Sequence, residues 1–141
     1  MKTLTIFTDG AAKNNPGPAG IGVVFLREDG TLIDTHKEYI GEKTNNVAEY
    51  LALILALDKA KDHKAEKIIV NLDSKLLVEQ INGNYKVKDP TLKKLFWQVR
   101  ELILELGGNI EFCHIPREKN YRADKLANQA IYEKLQGSKK S

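Results

Sequence analysis

Apolar and polar positions alternate over LTIFTDG, residues 4–10, and the β-branched and aromatic side chains there predict a first strand. Residues 10–20, GAAKNNPGPAG, interrupt the pattern with glycine, proline and asparagine and predict a loop. GIGVVFLRE resumes the strand pattern, and Asp29-Gly30 is a strong hairpin signal into TLIDTHKEYIG. Three strands on short connections predict an antiparallel meander. The period then changes from two to that of a helix. Leucines recur at helical spacing from a cap at Asn45 or Asn46 to about Asp62. IIVNL is a continuous apolar run, as expected of a parallel strand buried on both faces. SKLLVEQIN predicts a short helix ending near Gly83. Pro90 suits the first turn of a longer one, TLKKLFWQVRELILEL, which Gly107-Gly108 stop. NIEFCHI is a fifth strand, and Asn120 can cap a last helix reaching about Leu135. The order βββαβααβα predicts an α/β fold, with helices laid by right-handed crossovers over one mixed sheet.

Composition narrows the class without choosing a function. At 141 residues the chain reads as one domain over residues 1–136, with a disordered polar tail over 137–141. Its 42% apolar and 29% charged content suits a soluble globular protein able to bury a core without staples. No apolar run approaches the ~20 residues of a membrane span, and MKTLTIFTDG lacks a cleavage-like site for a signal peptide. A cytoplasmic monomer with no membrane partner is expected. Cys113, the lone cysteine, excludes an internal disulfide and reads as a half-buried strand residue. A net charge of +3 permits a nucleic-acid partner without demanding one. Lys86, Lys88, Lys93 and Lys94 cluster around Tyr85, Phe96 and Trp97, which alone reads as a solvated helix face with a core aromatic. His36 and His63 read as surface residues.

Four carboxylates interrupt otherwise buried patterns. Asp9 closes LTIFTD, Asp73 closes IIVNLD, Glu49 lies inside NNVAEYLALILAL, and Asp124 sits on the apolar side of ADKLANQAI. Each has a plain structural alternative: a turn at Asp9, a lysine partner for Glu49, a helix cap at Asp73, a first-turn acid at Asp124. Four such explanations are less economical than one shared cation. Carboxylates packed without one repel each other and hold protons, whereas with Mg²⁺ they become hard oxygen ligands.

TDGAAKNNPGPAGIGVV, TNNVAEYLALILAL, VNLDSKLLVEQING and HIPREKNYRADKLANQA resemble, in order, the motif blocks of type 1 ribonuclease H. The resemblance covers about residues 3–133. It implies the ribonuclease H-like fold, a five-stranded mixed sheet flanked by helices. It also implies endonucleolytic hydrolysis of the RNA strand of RNA–DNA hybrids with two Mg²⁺ ions, or Mn²⁺ as substitute, leaving 5′-phosphate and 3′-hydroxyl ends. By position Asp9 would bridge the two ions, Asp124 would complete the nucleophile-side site, and Glu49 and Asp73 would hold the other. Asn15, Thr44, Asn45 and Asn46 match positions that contact the nucleic-acid backbone and ribose hydroxyls, with Asn15 also a good turn residue and Asn46 a plausible cap.

Two departures stand out. The basic extension that many relatives carry before the helix at Pro90 is reduced to NGNYKVKDPT, where the lysines and Tyr85 would replace part of it. No separate hybrid-binding domain is expected, and the resemblance is to the compact form. The mobile histidine of many members is matched without a gap by His114, but in the compact subgroup an arginine takes that role, and Arg117 is the preferred match. Two rivals are a resolvase or transposase core on the same fold and a non-catalytic hybrid-binding module. The NNxxE motif argues against the first and the intact set of acids against the second. Activity on double-stranded RNA is left open.

Overall fold

The computed structural model describes residues 1–140, with side chains as far as Gly137. Its strands are β1 Thr3–Ala12, β2 Gly17–Leu26, β3 Leu32–Lys43, β4 Lys67–Leu72 and β5 Ile110–His114. They form one sheet in the order β3-β2-β1-β4-β5. β1 runs antiparallel to β2, with Thr5 opposite Leu26 and Ala12 opposite Ala19, and β2 runs antiparallel to β3. β4 is parallel to both β1 and β5, with Thr3 opposite Lys67 and Leu72 opposite His114. The helices are α1 Asn45–Ala60, α2 Lys75–Ile81, α3 Pro90–Glu105 and α4 Tyr121–Lys140. The α/β class, the element order and the mixed sheet are those the residue pattern predicts.

Alternation along β2 divides the layers. Val23 and Phe25 join Leu4 and Ile6 of β1, Leu53 and Leu57 of α1, and Leu92 and Val99 of α3 in the main core. Each fully buried side chain of this kind contributes roughly 1.5–3 kcal/mol. The intervening positions, Gly20 and Gly22, face α4 on the opposite side. A Cβ at Gly22 would lie 2.3 Å from the Ala123 carbonyl oxygen, and one at Gly20 would lie 2.4 Å from that of Ala127. The missing side chains let α4 lie almost on the sheet backbone, which fixes its register against β1 and β2.

Several boundaries differ from the expectation, each for a local reason. The first loop shrinks to four residues, because ladder pairing carries β1 to Ala12 and β2 back to Gly17. Thr44, not Asn45 or Asn46, caps α1, its Oγ1 accepting from the Val47 N–H at 3.2 Å. β4 is not buried on both faces. Its burial alternates, since α4 lies over β1, β2 and β3 and leaves Ile69 and Asn71 only partly covered. α4 continues past Leu135 to Lys140, so the expected tail at 137–141 falls largely outside the described side chains. Phe96 packs on the core, whereas Trp97 and Tyr85 are exposed together with the four lysines. His36 and His63 are half-buried, set edge-on against Phe25. The hairpin at Asp29-Gly30 and the stop at Gly107-Gly108 form as expected, with Gly30, Gly107 and Gly108 at positive φ. No helix among the described residues is long and apolar enough to cross a membrane.

Candidate active site

Asp9 sits near the end of β1, where the antiparallel and parallel halves of the sheet meet, and it is buried. Glu49 reaches it from α1. A Cβ at Gly10 would lie 2.3 Å from the Ala48 carbonyl carbon and 2.5 Å from the Glu49 nitrogen, so α1 approaches β1 closely only because residue 10 is glycine. The Gly10 N–H then donates to Glu49 Oε1 at 3.0 Å. Asp73 follows β4 directly, at the carboxyl end where sites form in parallel sheets. It does not cap α2: Ser74 does, its Oγ accepting from the Leu77 N–H at 3.3 Å.

One carboxylate oxygen from each of Asp9, Glu49 and Asp73 lies within 4.8 Å of the others. Asp124, in the first turn of α4, faces the same cleft of about 410 Å³, together with Arg117, Lys13, Asn45 and Asn128. The four acids come together from β1, α1, the end of β4, and α4.

The electrostatics of this cluster carry a cost. Burial is the largest cause holding the Asp9 carboxyl far above the usual carboxylate range, and Glu49 and Asp73 push it further. Burial also raises Glu49, partly offset by the proton shared with Asp9, the Gly10 N–H and the positive charge of Arg117. The metal-free cluster therefore holds at least one proton where isolated carboxyls hold none. Glu49 Oε2 is buried without a hydrogen-bond partner among the described residues. An orphaned carboxylate oxygen beside two more carboxylates is a set of hard donors that fits a divalent cation of the Mg²⁺ or Mn²⁺ kind.

The remaining sequence candidates divide in two. Asn15, Thr44, Asn45 and Asn46 line a neighbouring cleft of about 460 Å³ with Asp89 and Thr91. Asn15 Oδ1 accepts from the Asn45 N–H at 2.8 Å, and Asn45 Oδ1 accepts from the Ala12 N–H at 2.9 Å, so this polar wall is braced against β1. Asn45 belongs to both clefts. Arg117 borders the acid cleft, whereas His114 is exposed at the end of β5 and is not among the residues lining it.

Asn120 has a different role from the expected cap. It is buried in the short 3₁₀ turn Arg117–Asn120, and its Nδ2 donates to the Thr8 carbonyl at 2.8 Å and to Asp73 Oδ2 at 3.1 Å. It thus ties the entry of α4 to β1 and to one acid of the cluster. No sequence signal separates such a bridge from a cap, because both use asparagine before a helix. Asn120→Ala is expected to lower stability by about 1–3 kcal/mol, read by denaturant unfolding. An unchanged unfolding midpoint would remove this role.

Comparison with known proteins places the fold in a family. The family described as Reverse transcriptase-like matches residues 7–130. The crystal structure of LC11-RNase H1 in complex with an RNA/DNA hybrid superposes with a TM-score of 0.90 at 48% identity, over 94% of this chain and 99% of that one. RNase H1 of Halobacterium salinarum gives 0.88 at 39% identity, over 93% and 98%. In sequence, the bifunctional protein Rv2228c of Mycobacterium tuberculosis is 44% identical over 91% of this chain, which spans only 35% of that relative's length. The ribonuclease H of Alcanivorax borkumensis is 32% identical over 94% of each chain. The fold is thus shared with these relatives, and the chain belongs to the type 1 ribonuclease H family.

Proposed function

We propose that this chain is an endoribonuclease that hydrolyses the RNA strand of RNA–DNA hybrids, leaving 5′-phosphate and 3′-hydroxyl ends. The observation that carries the reading is the convergence of Asp9, Glu49 and Asp73 within 4.8 Å, in a cleft that also includes Asp124 and Arg117. Asp9 would serve two Mg²⁺ ions, or Mn²⁺ in their place, with Asp124 completing one site and Glu49 and Asp73 holding the other, as the family resemblance implies. Bound there, such ions supply Lewis-acid stabilisation of phosphoryl charge and lower the pKa of a water.

The chain's own residues then position the substrate. Asn15, Thr44, Asn45 and Asn46 offer donors and acceptors suited to ribose 2′-hydroxyls and phosphates, and Asn45 joins that wall to the acid cleft. Lys86 and Lys88, exposed beside Tyr85 in the loop before α3, would add positive charge where the basic extension is reduced. Arg117 brings a fixed positive charge to the cleft rim, where negative charge builds on the transferring phosphate. The lone Cys113 fits a reducing cytoplasm, and a monomer presents the whole site.

The test is cleavage of end-labelled RNA–DNA hybrid with Mg²⁺, Mn²⁺ or chelator, beside duplex RNA and duplex DNA. Metal-dependent cutting of the hybrid's RNA strand is expected, and the duplex RNA arm decides whether the activity extends to it. Cleavage in chelator, or equal cutting of duplex DNA, would defeat the reading. Under the same conditions Arg117→Ala is expected to lose tenfold or more in multiple-turnover rate, on the order of one fixed charge in a site, and His114→Ala less than about twofold. The reverse pattern would give the role to His114.

A further inference from the structure

Asp124 approaches Asp9 but is held differently from the other acids. It is half-buried and lies outside the trio whose oxygens fall within 4.8 Å of one another. Asn128, one helical turn further on, donates through Nδ2 to Asp124 Oδ1 at 3.2 Å and to the Asp124 carbonyl at 2.9 Å. Asn128 Oδ1 in turn accepts from Lys13 Nζ at 2.9 Å. Lys13 and Asn128 both line the acid cleft, and they are 115 positions apart in sequence.

The backbone under Lys13 is tightly held. Its N–H donates to the Pro18 carbonyl at 2.9 Å, and Gly17 packs so closely that a Cβ there would lie 1.7 Å from the Lys13 carbonyl oxygen. A carboxamide left to itself turns readily about its terminal torsion and can present either oxygen or nitrogen to a neighbour. An ammonium can only donate, so Lys13 holds the Asn128 oxygen on its own side and turns the NH₂ group toward Asp124. The amide between them matters. A lysine bound directly to Asp124 would cancel the negative charge that attracts a cation, whereas asparagine orients the carboxylate and leaves its charge intact.

We propose that Lys13 and Asn128 are positioning residues that pin the Asp124 carboxylate, completing in advance a cation site whose other three ligands already converge. This rests on the metal-dependent reading above. Partners that orient metal ligands in this way are typically worth about 10–100-fold in affinity. Exposure of Lys13 places its own share below that range.

The experiment compares Asn128→Ala, Asn128→Ser, Lys13→Met, Lys13→Arg and the double variant Lys13→Met/Asn128→Ala, all with the full chain. Mn²⁺ binding is measured by calorimetry without nucleic acid, and kcat, KM for hybrid and the half-saturating Mg²⁺ concentration are measured by cleavage. Both Asn128 variants are expected to weaken Mn²⁺ binding and raise the half-saturating Mg²⁺ by about tenfold, with KM for hybrid within about twofold. Lys13→Met should move both in the same direction by about threefold, Lys13→Arg should restore them, and the double variant should be no worse than Asn128→Ala. Unchanged Mn²⁺ affinity in both Asn128 variants would overturn the proposal. So would a Lys13→Met variant with higher KM and unchanged metal binding, because that result makes Lys13 a phosphate contact. A natural chain that binds Mn²⁺ without cleaving hybrid would defeat the functional reading alone, and calorimetry would still decide on Lys13 and Asn128.

Discussion

Asp9→Asn is expected to abolish cleavage of RNA–DNA hybrid and, in metal-free buffer, to yield a protein that melts higher than the natural chain. The two effects share one cause. Asp9 is only 4% exposed, and its neighbours within the cluster include Glu49 and Asp73. Burial first, and those two acids next, hold its carboxyl protonated far above the usual range. Unfolded, an aspartate titrates near 3.9. Between that value and the raised one the folded chain binds more protons than the unfolded chain, so stability falls as pH rises. The metal-free melting temperature of the natural chain should therefore decline from about pH 4 through pH 8, and the decline should be shallower in Asp9→Asn. At neutral pH the variant should gain on the order of 2 kcal/mol, or ~5 °C in Tm. Mg²⁺ should raise the Tm of the natural chain, since a ligand stabilises the state that binds it, and should raise that of Asp9→Asn much less. Cleavage should fall by at least about 10³-fold, the scale of removing one electrostatic element of a site. A variant that melts lower without metal, or that cuts at the natural rate, would refute this account of the cluster.

Gly10→Ala is expected to be nearly as damaging although it removes no charge and no hydrogen-bonding atom. A methyl group there would lie 2.3 to 2.5 Å from three backbone atoms of Ala48 and Glu49. Backbone inside a helix cannot give way as a side-chain tip can, so α1 must move off β1. The cost should be about 2–4 kcal/mol, at or above the upper end of ordinary overpacking. The same shift carries Glu49 away from Asp9 and Asp73 and loosens its bond from the Gly10 N–H. A displacement near 1 Å in a catalytic group is worth about 10²-fold in rate. Gly137→Ala is the control, since nothing lies within 4 Å of a Cβ there, and Tm should change little or rise. Gly10→Ala with unaltered melting and cleavage would show that α1 tolerates the methyl group and that close approach is not what places Glu49.

Much of the site was legible in the residues because its chemistry is costly. A charged side chain inside an apolar period is conspicuous whatever its partners, and Asp9, Glu49, Asp73 and Asp124 all announced themselves that way. Two of the plainer alternatives fell to particular contacts: Ser74 caps α2 in place of Asp73, and Glu49 meets the Gly10 N–H rather than a lysine, while Asp124 does lie in the first turn of α4. Asn15, Thr44, Asn45 and Asn46 are candidates by resemblance, and the bonds that link Asn15 to Asn45 and Asn45 to β1 came from the fold. Lys13, Asn120 and Asn128 were missed for a different reason. Each is polar, lies in or near a turn or on a helix surface, and breaks no pattern. Their roles depend on partners 115, 112 and 4 residues away.

Local periodicity, turn chemistry and burial cost are properties of neighbouring residues. Residue pattern alone therefore encodes the element order, the mixed sheet and the identity of the four acids. Where those acids meet depends on packing. That packing rests on glycines at positions 10, 20 and 22, where missing side chains let α1 and α4 close onto the sheet. It rests equally on hydrogen bonds that join Asn120 to Thr8 and Asp73, and Lys13 to Asn128. Such contacts join residues far apart in the chain. No local pattern encodes them, because their free energy exists only once the sheet and helices have already packed.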